Sequence, residues 1–211
     1  MISTFNHIAR RLEATNPRLE GWCELDKAFA LAATTFALRP LVSVEIGCWA
    51  GRSVLPVALS LQEIGRGIIH CIEPWSPQAS AEQYTGVNHD WWLNVANHDY
   101  AKNQFFGWVK DTQCQLFVRV HQTRSDDVTP PDDIGLLHID GVHTTQARKD
   151  VSRFGPKVSV GGIVFMDDIG WQNDGIRHVR LAADDLMAMG FKFLYGIYSK
   201  GNECEVFQRV K

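Results

Sequence analysis

The sequence predicts an α/β fold, a doubly wound and mostly parallel sheet with helices on both faces and an antiparallel element at its C-terminal end. Five short apolar runs alternate with stretches of helical period, the signature of strand–helix–strand units. Several of these runs stop at a glycine or a carboxylate, where a buried strand would emerge from the sheet. The last two apolar runs follow one another with only a turn between them.

Residues 1–24 read as an N-terminal helical extension, its short helix ending near Pro17. "ELDKAFALAATTFAL" (24–38) is a helix with Leu25, Phe29, Ala32 and Phe36 on one face, and Pro40 stops it. "LVSVEIG" (41–47) is the first strand, and 51–63 return to a helical period through Leu55, Leu59 and Leu61. "GIIHCIEPW" (67–75) is the second strand. Residues 76–114 read as an insert, a lid or substrate wall; they are polar and aromatic without a clear period until a helix that starts near Asn97, a good N-cap, and runs to about Val109. "QLFVRVHQ" (115–122) is the third strand and "IGLLHIDG" (134–141) the fourth. A helix over 145–154 ends at Gly155-Pro156, and the glycine pair of "GGIVFMDD" (161–168) opens the fifth strand. A helix over 176–189 closes at Gly190, and "FKFLYGIYS" and "ECEVFQRV" form a hairpin turning at Lys200-Gly201-Asn202. No repeat, low-complexity segment or linker interrupts the pattern, so residues 1–211 read as a single domain.

Composition narrows the class. A net charge of -3 without a basic run disfavours a nucleic-acid partner. Cys23, Cys48, Cys71, Cys114 and Cys204 are scattered, odd in number and lack a C-x-x-C pair, which suits a reduced intracellular protein without a structural zinc. "MISTFNHIARRLEATNP" carries paired arginines where a signal peptide needs an apolar stretch, and no apolar window is long enough to span a bilayer. A cytoplasmic protein with no membrane partner is the expectation, and a homo-oligomer is left open.

"VEIGCWAGRS" (44–53) places Gly47 and Gly51 at a strand-to-helix turn, where ligands collect in open parallel sheets. The dinucleotide fingerprint needs G-x-G-x-x-G, but here Cys48, Trp49 and Ala50 separate the two glycines, and Trp49 stands where a pyrophosphate needs clearance. Glu45 adds a charge that disfavours phosphate and favours a cationic group. A phosphate-free nucleoside with a cation fits, and S-adenosylmethionine has those properties. Glu73 ends the second strand, the place from which an acid grips ribose hydroxyls. Trp75 could cover the adenine or simply pack. Ser125 and Asp126, after the third strand, could meet the adenine edge or serve as turn residues. The candidate cofactor-binding set is Glu45, Gly47, Gly51, Ser53, Glu73, Trp75, Ser125 and Asp126.

A second constellation joins Asp140, at the end of the fourth strand, to Asp167 and Asp168 at the end of the fifth. If the strands are neighbours, three carboxylates converge and repel unless a cation sits among them, and a hard divalent ion such as Mg²⁺ with oxygen ligands would relieve that. Successive strand residues point to opposite faces, so Asp167 and Asp168 can both serve only if the strand breaks there. His143, three residues past Asp140, could accept a proton from a metal-bound hydroxyl or merely hydrogen-bond the loop. His138, inside the apolar run, reads as structural. His89, Asp90, His98 and Asp99 read as part of a packed lid rather than a metal site.

"VEIGCWAGRS", "IEPWS", "LLHIDGVH" and "GGIVFMDD" resemble class I S-adenosylmethionine-dependent methyltransferases, nearest the macrocin O-methyltransferase-like branch that includes cephalosporin-hydroxylase-like sequences. The resemblance covers about residues 25 to 195. It implies a Rossmann-like, seven-stranded sheet with an antiparallel last strand, and Mg²⁺ held by Asp140, Asp167 and Asp168. It also implies His143 as base in some members and O-methylation of a small-molecule hydroxyl on a sugar, glycosylated metabolite or catechol-like acceptor. Glu73 departs from the family's more usual Asp. A silent S-adenosylmethionine-binding protein and an NAD-linked oxidoreductase are the alternatives, the latter disfavoured by Trp49 and the missing third glycine.

Overall fold

The structure, a computed structural model, describes residues 2–199 and 202–211. Seven strands, β1 (Val42–Ile46), β2 (Ile68–Ile72), β3 (Val118–His121), β4 (Ile134–Ile139), β5 (Val158–Met166), β6 (Phe191–Ser199) and β7 (Asn202–Arg209), form one sheet in the order β3-β2-β1-β4-β5-β7-β6. Pairings among β1 to β5 are parallel, and β7 runs antiparallel to both β5 and β6. The expected doubly wound sheet with an antiparallel last strand is what forms. Lys200 and Gly201 of the expected turn lie outside the described residues. The chain leaves β1 toward β2 and β3 and then returns to place β4 on the other side. The rim between β1 and β4 is therefore the crevice where ligands of such sheets collect.

Helices cover both faces. On one side lie α1 (Ile2–Thr15), α2 (Leu25–Leu38), α3 (Val54–Ile64) and α6 (His98–Asp111), which share a core with Leu136, Phe165 and Val206 of the sheet. On the other lie α7 (Thr145–Phe154) and α8 (His178–Ala188), which pack on Val44, Leu137 and Val164. Alternate strand residues feed the two cores, as the pleat requires. α3 is buried from Val54 to Leu61, because α1 and α2 cover the side that does not meet the sheet. Asn97 caps α6 as expected, its side chain accepting from the Tyr100 amide at 2.9 Å.

Three elements differ from expectation. The face of α2 that is fully buried is Lys27, Ala28, Leu31, Ala32 and Thr35, whereas Leu25, Phe29 and Phe36 are only half-buried and Phe36 meets Phe5 of α1. The polar–aromatic stretch after β2 contains two short helices, α4 (Pro77–Ala81) and α5 (Gly86–Asn94). β5 begins at Val158 because the Gly161-Gly162 pair sits in a bulge within the strand, Gly161 at φ 86°, rather than at its start.

Gly51 shows why the turn after β1 carries its second glycine. Its φ is 83°, and a Cβ there would lie 2.6 Å from Cδ2 of Phe105 and Nε1 of Trp108 on α6. The loop is clamped to that helix by the Trp108 indole N–H, which donates to the Ala50 carbonyl at 2.9 Å. Gly51→Ala should cost about 1–3 kcal/mol from backbone strain alone, with the clash added; a fall in the urea midpoint at unchanged m-value is the check.

Candidate active site

The ends of β1, β2, β4 and β5 meet at one rim. The Gly47 amide donates to Ile72 O at 3.0 Å, Asp140 to Ile46 O at 2.9 Å and Asp167 to Ile139 O at 3.1 Å, so neighbouring strands end in step. Gly47 has φ 85°, and a Cβ on it would fall 2.1 Å from the Asp140 carbonyl oxygen; only a glycine lets the loop pass so close to β4. Trp49, Trp75 and Asp168, each just beyond a strand end, hold φ of 43°, 44° and 56°. Such left-handed backbone in non-glycine residues needs surrounding bonds to persist. Trp75 supplies some, with its amide donating to Glu73 Oε1 at 2.9 Å and its indole N–H to Trp49 O at 3.0 Å.

Glu73 anchors the loop. Its Oε2 accepts from the Cys48 and Trp49 amides at 3.0 and 3.1 Å. Burial pushes its carboxyl up, against the lowering effect of these three backbone donors. An ionised carboxylate has about four acceptor sites, so one on Oε1 is still open.

A cavity of about 770 Å³ opens on the rim. Gly47, Glu73, Ser125, Asp140, His143 and Asp168 line it at the strand ends. Its outer wall is aromatic, with Trp22, Trp49, Trp91 and Trp92 at centroid separations of 4.8 to 6.2 Å in edge-to-face contacts. The segment after β2 contributes Tyr84, whose hydroxyl accepts from the His143 amide at 2.9 Å.

The acidic cluster is organised by a residue that the sequence pattern concealed. Lys27 of α2 is 1% exposed; its ammonium contacts the Asp167 carboxylate directly and lies 3.9 Å from Asp140 Oδ2. His138 stands on the other side, Nε2 3.6 Å from Asp167 and Nδ1 3.3 Å from Glu45. Burial alone would raise the Asp167 carboxyl, but Lys27 and His138 hold it well below the usual carboxylate range. Burial would likewise lower the His138 ring, yet Glu45 and Asp167 raise it to about 10. Asp168 turns away to His143, whose Nε2 is 3.0 Å from Asp168 and 3.9 Å from Asp140. For His143 too, the lowering by burial is outweighed by the neighbouring carboxylates of Asp140 and Asp168, which raise it.

Asp140, Asp167 and Asp168 therefore do not converge on one point. The strand breaks at Asp168, as its use would demand, but the two aspartates still face different partners. Among the described residues, potential ligand atoms lie within 4.8 Å of one another in two groupings: His138, Asp140 and Asp167, and Asp140, His143 and Asp168. Neither contains all three carboxylates. Mg²⁺ demands near-octahedral oxygen ligation, and a grouping with an imidazole, or with an ammonium already against its carboxylate, does not fit it.

Of the expected cofactor-binding residues, Gly47, Ser53, Glu73 and Ser125 line the cavity. The others have different roles. Glu45 is fully buried, accepting from the Ser53 hydroxyl and facing His138, because its position on β1 points it beneath the rim. Gly51 packs against α6. The Trp75 ring turns to Phe105 and Phe106, at 5.4 and 5.8 Å, and so belongs to the core. Asp126 accepts from Gln146 Nε2 at 3.0 Å and lies 3.7 Å from Arg153, outside the lining. The lining residues Gln146 and Asp150 escaped the sequence reading because they sit on a helix with an ordinary amphipathic pattern.

Comparison with known proteins agrees with this fold. The family model described as a methyltransferase domain matches residues 44–169, more than half of the chain. An O-methyltransferase from Bacillus cereus, solved with SAH, superposes with a TM-score of 0.63 at 14% identity, covering 99% of this chain and 91% of that one. TomG, an O-methyltransferase of tomaymycin synthesis from Streptomyces achromogenes solved with SAM, gives 0.64 at 14% identity, with 98% and 89% covered. At such identities the likeness is one of fold. No curated protein matches in sequence. With the family model spanning the strand ends, the glycine turn and the acidic cluster, the chain belongs to the methyltransferase-domain family.

Proposed function

We propose that the protein transfers a methyl group from S-adenosylmethionine to a hydroxyl of a small molecule, within the class of sugars, glycosylated metabolites and catechol-like phenols. The observation that carries this reading is a single cavity that joins Glu73 and Gly47 at one end to Asp140 and His143 at the other. A nucleoside cradle and a proton-accepting group thus share one space. The residues present fit the cofactor, since Glu73 keeps an acceptor site on Oε1 for a ribose hydroxyl. When bound, S-adenosylmethionine supplies a methyl group activated by its sulfonium.

The chain's own residues do the rest. Glu73 orients the ribose while bracing the loop from Gly47 to Trp49. Ser125 and Gln146, hydrogen-bonded to each other at 3.2 Å, bound the far end where the base would lie. His143 holds the acceptor's proton at Nε2, where Asp168 and Asp140 stabilise the imidazolium. The tryptophan wall excludes water and offers flat apolar faces to the acceptor, so that positioning supplies much of the rate. An Mg²⁺ ion on Asp140, Asp167 and Asp168 does not fit this donor set, and no step passes through one.

Calorimetry with S-adenosylmethionine, S-adenosylhomocysteine and NAD, followed by mass spectrometry of hydroxyl acceptors incubated with protein and S-adenosylmethionine, tests the reading. Binding of the first two, together with a methylated product, is expected; binding of NAD alone sinks it. Glu73→Ala should weaken S-adenosylmethionine about 10- to 100-fold, the worth of a hydrogen bond to a charged group.

Asp150, 1% exposed in the cavity wall, has its carboxyl pushed up to about 6, first by burial. The folded state then holds that proton more tightly than the unfolded chain. The group favours folding most below about pH 4, and this contribution is lost as pH rises through about 6. Asp150→Asn keeps the acceptor for Gln146 and should raise stability at pH 7 by roughly 1–2 kcal/mol, with the gap closing at pH 4; thermal melts at the two pH values measure it.

A further inference from the structure

We infer that Lys27 is the resident cation of the acidic cluster at the ends of β4 and β5, and that its ammonium fills the place where such a cluster would otherwise need a divalent metal. The inference rests on the methyl-transfer reading for its purpose, though not for its geometry.

Carboxylates gathered from two adjacent strand ends repel and must be matched by positive charge. Each carboxylate here has a partner within the chain: Asp167 is held by Lys27 and flanked by His138, Glu45 faces His138 Nδ1 at 3.3 Å, and Asp168 lies 3.0 Å from His143 Nε2. Asp140 lies 3.9 Å from both Lys27 Nζ and His143 Nε2. A single ammonium therefore spans Asp167 from β5 and Asp140 from β4. Lys27 is 1% exposed and in direct contact with Asp167, so a dication could take Asp167 as a ligand only by displacing a buried cation.

The consequence for the reaction is that Lys27 acts as a positioning residue. It does not line the cavity, whereas Asp140 does. A fixed charge behind Asp140 holds that carboxylate at the acceptor side of the cavity beside His143 without taking up any of the acceptor's own oxygens. Methyl transfer by this protein is then independent of divalent metal.

The test compares metal-stripped wild type with Lys27→Met and with Lys27→Met/Asp167→Asn, using Mn²⁺ binding by electron paramagnetic resonance and melting temperature with and without Mn²⁺ or Mg²⁺. Wild type is expected to bind no stoichiometric Mn²⁺ and to melt at the same temperature with either ion. Lys27→Met, left with an uncompensated carboxylate, is expected to gain one Mn²⁺ per chain and to melt several degrees higher when Mn²⁺ is added. The double variant should lose that gain, which a merely structural role for Lys27 would not produce. One Mn²⁺ or Mg²⁺ per chain in wild type, loss of methyl transfer by wild type on chelation, or no Mn²⁺ gain in folded Lys27→Met overturns the inference. Should Lys27→Met fail to fold, the wild-type titration decides alone. S-Adenosylmethionine calorimetry on the same samples reports separately on the cofactor, so failure of that reading is distinguishable from failure of this one.

Discussion

The Asp167 carboxylate, enclosed between the Lys27 ammonium and the His138 ring, is the contact on which the rim of the sheet depends. It ties α2 to the end of β5, and through His138 and Glu45 it ties β4 to β1. In a low-dielectric interior such charges are worth far more than at the surface, yet desolvation consumes much of the gain. Removing one partner of a buried pair typically costs about 3–5 kcal/mol, because the other is left charged and alone. The arrangement therefore contributes little to net stability compared with apolar packing, but it locks which strand ends face one another. The cavity inherits that rigidity, since Asp140 and His143 sit directly on the locked ends.

Much of the fold was legible because the alternation of apolar runs and helical stretches reports local periodicity, which a parallel sheet obeys. The 145–154 helix and the cap at Asn97 were readable for the same local reasons. The face of α2 was not. A lysine in an apolar stripe reads as solvent-facing, so Leu25, Phe29 and Phe36 looked like the inner face, when Lys27, Leu31 and Thr35, four residues apart, form it. The signal was there in the spacing, but only a partner 140 residues away gives it meaning. α4 and α5 were hidden because short helices packed by tryptophans need no regular stripe.

The candidate site divides along a similar line. Gly47, Glu73, Ser125, Asp140 and His143 were readable from position at strand ends, since topology alone delivers those positions to one rim. Side-chain direction is a finer matter. Glu45 on β1 and Asp167 just past β5 are sequence neighbours of the lining residues Ile46 and Asp168 but turn beneath the rim, where alternation and buried partners take them. Trp75 follows Glu73 closely, yet a left-handed backbone swings its ring into the aromatic core of α6.

One phenol oxygen couples the cavity wall to the loop that carries His143. Tyr84, on the segment that walls the cavity, accepts the His143 main-chain N–H. That segment cannot swing outward without stranding this donor, at about 1–3 kcal/mol if it stays buried, or without carrying the imidazole's loop along. The position of the segment that walls the cavity and the position of the loop that carries His143 are thereby linked mechanically.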